Sequence, residues 1–486
     1  MASERREFLK KMMCGVSAMI TLPALRLSAQ EADSCPNIVW IVGDDLGAEL
    51  GCYGESQVHT PNCDRLASEG LRFERFFATA SVCSPSRSAF ITGMYQQSIG
   101  CSAHRTHEKK PLPSGVHPLM YYFRKAGYFT SNGNGTPDSK AAKTDYNFTH
   151  YSFDGTDWSQ RNPGQPFFAQ IQINEPHRPF VRDTENPVDP DNIKLPPYYM
   201  DHPILRKDWA LYLKSIQRFD TKVGRILRRL DKEGLSENTI VFLFGDNGRP
   251  HFRDKQFLYE PGLRIPMIIR YPGYIAPGEV DKGLHSAVDL APTCLRMIGE
   301  PVPETMQGTP FLGEACRNRR FVYAARDRCG EAFDRMRSIR NERYKYIRNY
   351  FSGIPYNQWS SYKRLYYPGL LLMERFHHHD KLTPEQQQFF SAFKPPEELY
   401  DLQNDPHELY NLVDNRHYSS ILNNMRNRLR DWIEQTGDDP EALPDIGFLV
   451  RLRSEKKKNY YDAVMKKRGL YDPDEYIRWW EKQLFD

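Results

Sequence analysis

The sequence predicts an α/β protein with a large, mainly parallel central sheet flanked by helices. Three observations carry that prediction. Residues 37–43 and 239–245 are continuous apolar runs, too uniform for strands with one wet face, so both read as strands buried on two sides. Between them lies one long helical period, and strands alternating with helices are the pattern of a parallel sheet. Each run also ends in oxygen-bearing side chains, Asp44-Asp45 and Asp246-Asn247. Ligands gather beyond the carboxyl ends of parallel strands, so neighbouring strands place all four side chains at one edge.

At the start of the chain, residues 1–29 read as a signal peptide of the twin-arginine type. Arg5-Arg6 leads into a weakly apolar run, residues 12–25, which is too short to span a bilayer and is interrupted by Pro23. Ser28 and Ala29 suit cleavage. The expectation is export through the twin-arginine machinery to the periplasm or beyond, with no membrane span in the mature chain. Setting aside Cys14 in this leader and Cys83 in a motif below, nine cysteines less two leaves seven, an odd number with at least one free thiol. So few in 486 residues exclude a disulfide scaffold.

The remaining elements are taken in order. A second buried strand is expected at residues 167–173. Leu205, Trp209, Leu213, Ile216, Val223, Ile226 and Leu230 recur at mostly three- and four-residue spacings, and Gly234 ends that helix. A strand at residues 266–271 and a helix at 287–298 complete a catalytic domain expected over 35–316. From residue 319 the texture changes to short amphipathic pieces at 336–349 and 397–402 and a helix at 418–436. That reads as a smaller α+β subdomain, residues 317–486. Its end, residues 451–468, carries eight Lys and Arg against two acids, a solvated helix face or a contact for an anionic polysaccharide. Aromatics at 13% and apolar residues at 40% argue against disorder. A net charge of +4 is too small to imply nucleic acid and tolerates an anionic substrate.

The chemistry gathers at two places. Asp44, Asp45, Asp246 and Asn247 make an all-oxygen set suited to a hard divalent cation, calcium first and magnesium second. Without His or Cys among them, zinc is disfavoured. Cys83-Ser84-Pro85-Ser86-Arg87 reads as a cysteine at the head of a short amphipathic helix. Pro85 sits where a missing N–H costs nothing, and Ser84 and Ser86 can cap the free donors. A helix start favours anions, on the thiol or on a ligand, and Arg87 one turn later can hold an anion bidentately.

Cys83-x-Pro85-Ser86-Arg87, continuing through Phe90-Ile91-Thr92-Gly93, resembles the signature of the type I sulfatases of the alkaline-phosphatase superfamily. The resemblance implies an alkaline-phosphatase-like fold and conversion of Cys83 to Cα-formylglycine (3-oxoalanine). A formylglycine-generating or anaerobic sulfatase-maturing enzyme would make that change, and the product would complete the metal site. It further implies that one hydroxyl of the hydrated aldehyde attacks sulfur and the other expels sulfate. An unmodified thiol has no second oxygen to do so. Asp246-Asn247-Gly248, with Lys255, Tyr259-Glu260, Gly262, Arg264 and Pro266, is similar to the family's second block, in which Lys255 would touch sulfate and protonate the leaving oxygen. Pro176-His177-x-Pro179 is similar to its Pro-His-x-Pro element, which would make His177 a sulfate ligand or general acid.

One departure stands out. The family's Gly-Lys-Trp-His is absent after Gly127-Tyr128, so its lysine is carried to Lys143 and its histidine has no match. His104 is assigned to related space or to substrate, with a surface histidine as the alternative, and Arg249 is assigned to substrate. Glu397 to Leu402, Asp405-Pro406 and Asn411-Leu412 are similar to the block that docks the small domain. The branch resembled is that of N-sulfoglucosamine sulfohydrolases. The implied activity is hydrolysis of sulfate esters or N-sulfates of a sulfated saccharide. The alternatives are a phosphomonoester or phosphonate-ester hydrolase, and a non-catalytic binder of sulfated glycans.

Overall fold

Seven successive buried residues at Asn37–Gly43 (β1) form the axis of the larger sheet. The computed structural model describes residues 35–106, 108–313 and 319–485, so the signal-peptide reading of residues 1–29 lies outside the described residues. The further strands of this sheet are β2 (Leu71–Phe77), β3 (Phe129–Gly133), β4 (Phe167–Ile173), β5 (Thr239–Gly245), β6 (Arg264–Ile265), β7 (Met267–Arg270) and β8 (Glu279–Ser286). Their order is β3-β4-β1-β5-β7-β2-β6, with β8 beside β2. β3, β4, β1 and β5 are parallel throughout. Gly43 stands opposite both Ile173 and Gly245, so β4, β1 and β5 end level and the chain leaves all three at one edge of the sheet.

Both faces of β1 are covered, which is why its sequence does not alternate. Val39 and Ile41 pack with Phe219, Val223 and Leu227 of the long helix Pro203–Lys232. Ile38, Trp40 and Val42 face the other way, toward Phe90 and Ile91 of helix Cys83–Thr92 and Leu290 of helix Leu290–Met297. Trp40 meets Phe90, Phe168 and Phe244 edge-on at 5.2–5.7 Å, an arrangement that aromatic quadrupoles favour.

The expected strand at 266–271 is present as β7 but runs antiparallel to β5. The sheet is therefore mixed on that side, where β7 and β6 oppose β2. Of this sheet, the sequence reading passed over the two-residue β6 and three longer strands. In β2, charged Arg72, Glu74 and Arg75 interrupt the apolar residues, and β8 is polar through its first half. β3 is five residues long and ends in Ser131-Asn132-Gly133, a composition more typical of turns.

A second sheet is wholly antiparallel: β9 (Val322–Arg326), β10 (Met336–Arg340), β11 (Tyr344–Asn349) and β12 (Glu397–Asp401), in the order β12-β11-β10-β9. The amphipathic piece expected at 336–349 is its central hairpin. Helix Ser419–Thr436 covers it through Leu422, Met425, Leu429 and Trp432, packed on Ile339, Tyr346 and Leu399. Buried Glu398 on β12 accepts from the hydroxyls of Tyr259, Tyr356 and Tyr400, and Glu260 pairs with Arg340 and Lys345. These contacts fasten the second sheet to the segment just beyond Lys255.

The C-terminal basic stretch is helical, with Ile446–Lys456, a wider turn at Lys457–Asp462, and Ala463–Arg468. Among the described residues no two cysteines form a disulfide, and no helix is long and apolar enough to cross a membrane.

Candidate active site

Three acids converge where β1 and β5 end. Asp44 N–H donates to Ile173 O, continuing the β1–β4 ladder by one residue. Asp45 then turns with φ of 63°, sparsely populated for a residue with a Cβ, and its N–H donates to Asp246 Oδ1 at 2.8 Å. Asn247 N–H donates to the same oxygen at 2.9 Å. Oxygen atoms of Asp44, Asp45 and Asp246 and the sulfur of Cys83 lie within 4.8 Å of one another, and all four residues are buried.

Helix Cys83–Thr92 delivers the sulfur. It was expected to be amphipathic, yet all ten of its residues are buried, because the sheet lies on one side and helix Leu290–Met297 and loops cover the others. Nor do the serines cap it: Val82 is the N-cap and makes no side-chain cap bond. Ser84 Oγ instead accepts from Arg105 N–H, and Ser86 Oγ donates to Asp246 O at 2.5 Å. Polar residues on an enclosed helix are thus spent on fixing its neighbours. Cys83 Sγ stands 3.4 Å from Asp44 Oδ1, 3.8 Å from Asp45 Oδ1 and 3.8 Å from Lys255 Nζ. The expected thiolate-favouring field is outweighed, since burial and the Asp246 carboxylate push this thiol well above its ordinary value.

Three cations answer the three acids. Arg87 Nε donates to Asp246 Oδ2 at 2.7 Å, its NH1 to Gln172 Oε1 at 2.6 Å, and its NH2 lies 3.6 Å from Asp44 Oδ1. Lys143 Nζ donates to Asp44 Oδ2 at 2.6 Å, and Lys255 Nζ reaches both Asp45 oxygens at 2.6 Å. Burial opposes charge on Asp44, but Lys143 and Arg87 outweigh it and hold this carboxyl well below the usual range. Lys255 is likewise held charged by Asp45 despite its burial. The cluster is neutral as it stands, so a bound divalent cation would leave it positive and attractive to an anion.

The residues fit such a cation on one further observation. Asn247 Nδ2 donates to Asp45 Oδ1 and Gly248 O, while its Oδ1 is buried with no hydrogen-bond partner among the described residues. A buried carbonyl oxygen beside three carboxylates is the donor set of a hard cation.

His177 joins from the loop after β4. Its Nδ1 donates to Arg178 O, which leaves Nε2 facing Asp45 Oδ2 at 3.8 Å and Tyr362 Oη at 3.5 Å. Burial lowers its pKa, against the pull of Asp45. His104 also comes to the site, since a ring nitrogen, Cys83 Sγ and an Asp145 oxygen lie within 4.8 Å of one another. His104 Nδ1 is 3.6 Å from Cys329 Sγ, and its Nε2 is buried with no hydrogen-bond partner among the described residues.

Arg249 is not brought there, contrary to its assignment to substrate. Its guanidinium donates to Asp254, Glu49 and the Tyr198 hydroxyl and packs over Trp209, so every nitrogen is committed to holding a loop. Two site residues escaped the sequence reading. Gln172 looked like part of a buried strand, and Tyr362 lies far along the chain in a segment with no motif.

Comparison with known proteins bears on this geometry. The family profile described as sulfatase matches residues 36–300, and that of the N-sulphoglucosamine sulphohydrolase C-terminal region matches residues 248–368. An ulvan-active sulfatase of Formosa agariphila is 35% identical over 474 residues, covering 86% of this chain and 78% of that protein. The human N-sulphoglucosamine sulphohydrolase is 24% identical over 84% of this chain and 92% of its own. Among solved structures, a protein in complex with its substrate D-glucosamine-2-N,6-O-disulfate superposes with a TM-score of 0.62 at 19% identity, covering 85% of this chain and 100% of that one.

Proposed function

We propose that this chain, which belongs to the sulfatase family and is a sulfuric ester hydrolase, releases sulfate from a sulfated saccharide with formylglycine at position 83 and a divalent cation, calcium first, at Asp44, Asp45, Asp246 and Asn247. The observation that carries the reading is the meeting of three carboxylates, the unpartnered Asn247 oxygen, the buried Arg87 and Lys255 and the half-buried Lys143 around Cys83. The ulvan-active sulfatase of similar sequence supports the saccharide, and the oxygen-only ligand set supports calcium. Export by the twin-arginine route, and maturation by a formylglycine-generating or anaerobic sulfatase-maturing enzyme, belong to the same proposal.

In that mechanism the cation supplies charge opposite the sulfate oxygens, and the hydrated aldehyde supplies an attacking hydroxyl and a second one to release sulfate. The chain's other residues hold and protonate. Arg87 fixes Asp246 and Gln172 together from one turn into its helix. Lys143 neutralises Asp44 and Lys255 neutralises Asp45, so each is placed to turn from carboxylate to a sulfate oxygen as substrate enters. Lys255, charged and buried, is a proton source for the departing oxygen, with His177 beside it.

Lys255→Ala and His177→Ala are therefore expected to cost more with a sugar sulfate than with nitrophenyl sulfate. A basic alkoxide needs a proton as it leaves, and nitrophenolate does not. The difference should reach roughly 10²-fold for a residue acting as general acid. Equal losses on both esters would make the pair simple anion binders. The function itself is tested by measuring release of sulfate, and of phosphate from matched phosphate esters, across defined sulfated mono- and oligosaccharides. Efficient sulfate release from a saccharide is expected. Turnover of phosphate esters alone, or of aryl sulfates with no saccharide accepted, would contradict it.

A further inference from the structure

We propose that the C-terminal helical segment, residues 446–468, is one wall of the active-site cleft and holds the neighbouring anionic sugars of a polyanionic saccharide whose sulfate is cleaved at position 83. This rests on the saccharide substrate argued above and adds a recognition element to it. The segment touches both flanks of the site. At one end the Arg328 guanidinium lies 5.9 Å from the Phe448 ring, while Arg328 O accepts from His104 N–H at 2.8 Å and its NH2 donates to Arg105 O at 3.3 Å. At the other end Tyr461 meets Trp359 edge-on at 5.2 Å, and Lys457 Nζ lies 6.0 Å above the same ring. Trp359 leads directly into helix Ser361–Tyr366, which carries Tyr362 to His177 and places its ring 5.6 Å from Lys255 Nζ.

Charge says what this wall would face. Residues 451–468 hold eight Lys and Arg against Glu455 and Asp462. Lys456, Lys457 and Lys458 are exposed, and the Arg364 guanidinium lies 4.5 Å over Trp359 beside them. A single sugar sulfate at Cys83 leaves the three lysines without a counterpart, whereas Arg364 already pairs with Glu374 at 2.7 Å. The next sugars of a polyanionic chain, bearing sulfate or carboxylate, supply one. Exposed cations of this kind act through encounter and orientation, so the gain belongs in KM and in salt dependence rather than in bond cleavage. Leu443 just before this segment, and Ile446 and Val450 on it, are also exposed, and an anionic lipid surface is the competing occupant that the test must separate.

The test compares a sulfated monosaccharide with a sulfated hexasaccharide of the same repeat. Wild-type protein and the combined variant Lys456→Glu, Lys457→Glu, Lys458→Glu are assayed at low and high salt, with thermal melting as the control for folding. The wild type is expected to favour the hexasaccharide by about tenfold in kcat/KM through KM, and high salt or the variant should collapse that ratio. An undiminished ratio in the variant, or no preference in the wild type, overturns the proposal. So does wild-type binding to phosphatidylserine vesicles without any hexasaccharide preference. Failure to release sulfate from either sugar would instead overturn the saccharide substrate on which it rests.

Discussion

Cys83→Ala is expected to fold and to lose turnover by roughly 10⁴-fold or more, the scale of removing a covalent nucleophile. The change deletes one buried sulfur from a helix held by other contacts: Ser86 to Asp246 O, Ser84 to Arg105 N–H, and Arg87 to Asp246 and Gln172. Those contacts remain, so the melting temperature should shift by only a few degrees, as for a small core truncation. Cys83→Ser is the sharper variant. Its hydroxyl could take up sulfate once and then hold it, since a serine carries no second oxygen to expel the group. A sulfated, inactive enzyme is the expected product, seen by intact mass. Sustained turnover by the alanine variant would show that the reaction does not pass through residue 83.

Asp246→Ala should remove both the cation and the activity, and unlike the cysteine change it should also cost stability. Asp246 accepts from Asp45 N–H, Asn247 N–H and Arg87 Nε, so its loss leaves the buried Arg87 guanidinium with only Asp44, 3.6 Å away, to oppose its charge. Breaking a buried ion pair by removing one partner costs about 3–5 kcal/mol, and the Asp44 contact holds the loss toward the lower end of that range. Asp246→Asn separates the two effects. It keeps a hydrogen-bonding oxygen in place yet removes a formal charge from the ligand set. Its cation affinity should fall by more than the roughly 10–100-fold typical of a residue that merely supports a ligand. Metal analysis by mass spectrometry checks this. Full occupancy in the variant, or zinc in the wild type, would contradict the site as assigned.

How much of this could be read from residues alone depended on whether each fact was local. The ends of β1 and β5 were legible because a run buried on both faces has an unmistakable texture, and the acids come immediately after it. The long helix was legible from the three- and four-residue spacing of its apolar side chains. β2 and β8 were not, since their charged residues lie at partly wet sheet positions that only the tertiary fold creates. Lys143 could be placed only through the family resemblance, as nothing local tells that it reaches Asp44 across 99 positions. Arg249 misled because it sits close behind a metal-ligand pair, while Glu49 and Asp254, which claim it, could not be known to lie beside it. Gln172 was hidden by its apolar neighbours on β4. The helix at Cys83 was read as amphipathic with Ser84 and Ser86 as caps, whereas each of Ser84, Ser86 and Ser88 is enclosed and hydrogen-bonded to a neighbouring segment or to its own helix.

The central claim is that position 83 carries an aldehyde rather than a thiol when the enzyme works. Burial and the nearby Asp246 hold the Cys83 thiol protonated, so as a bare cysteine it is a poor nucleophile here as well as one that could not clear its own product. The direct measurement is the mass of the peptide containing residue 83, taken from the same preparation whose turnover is counted. Active protein should show that peptide about 18 Da below the cysteine form, in proportion to its activity, as the thiol-to-aldehyde change requires. Multiple turnovers by protein whose Cys83 is entirely unmodified would contradict the account.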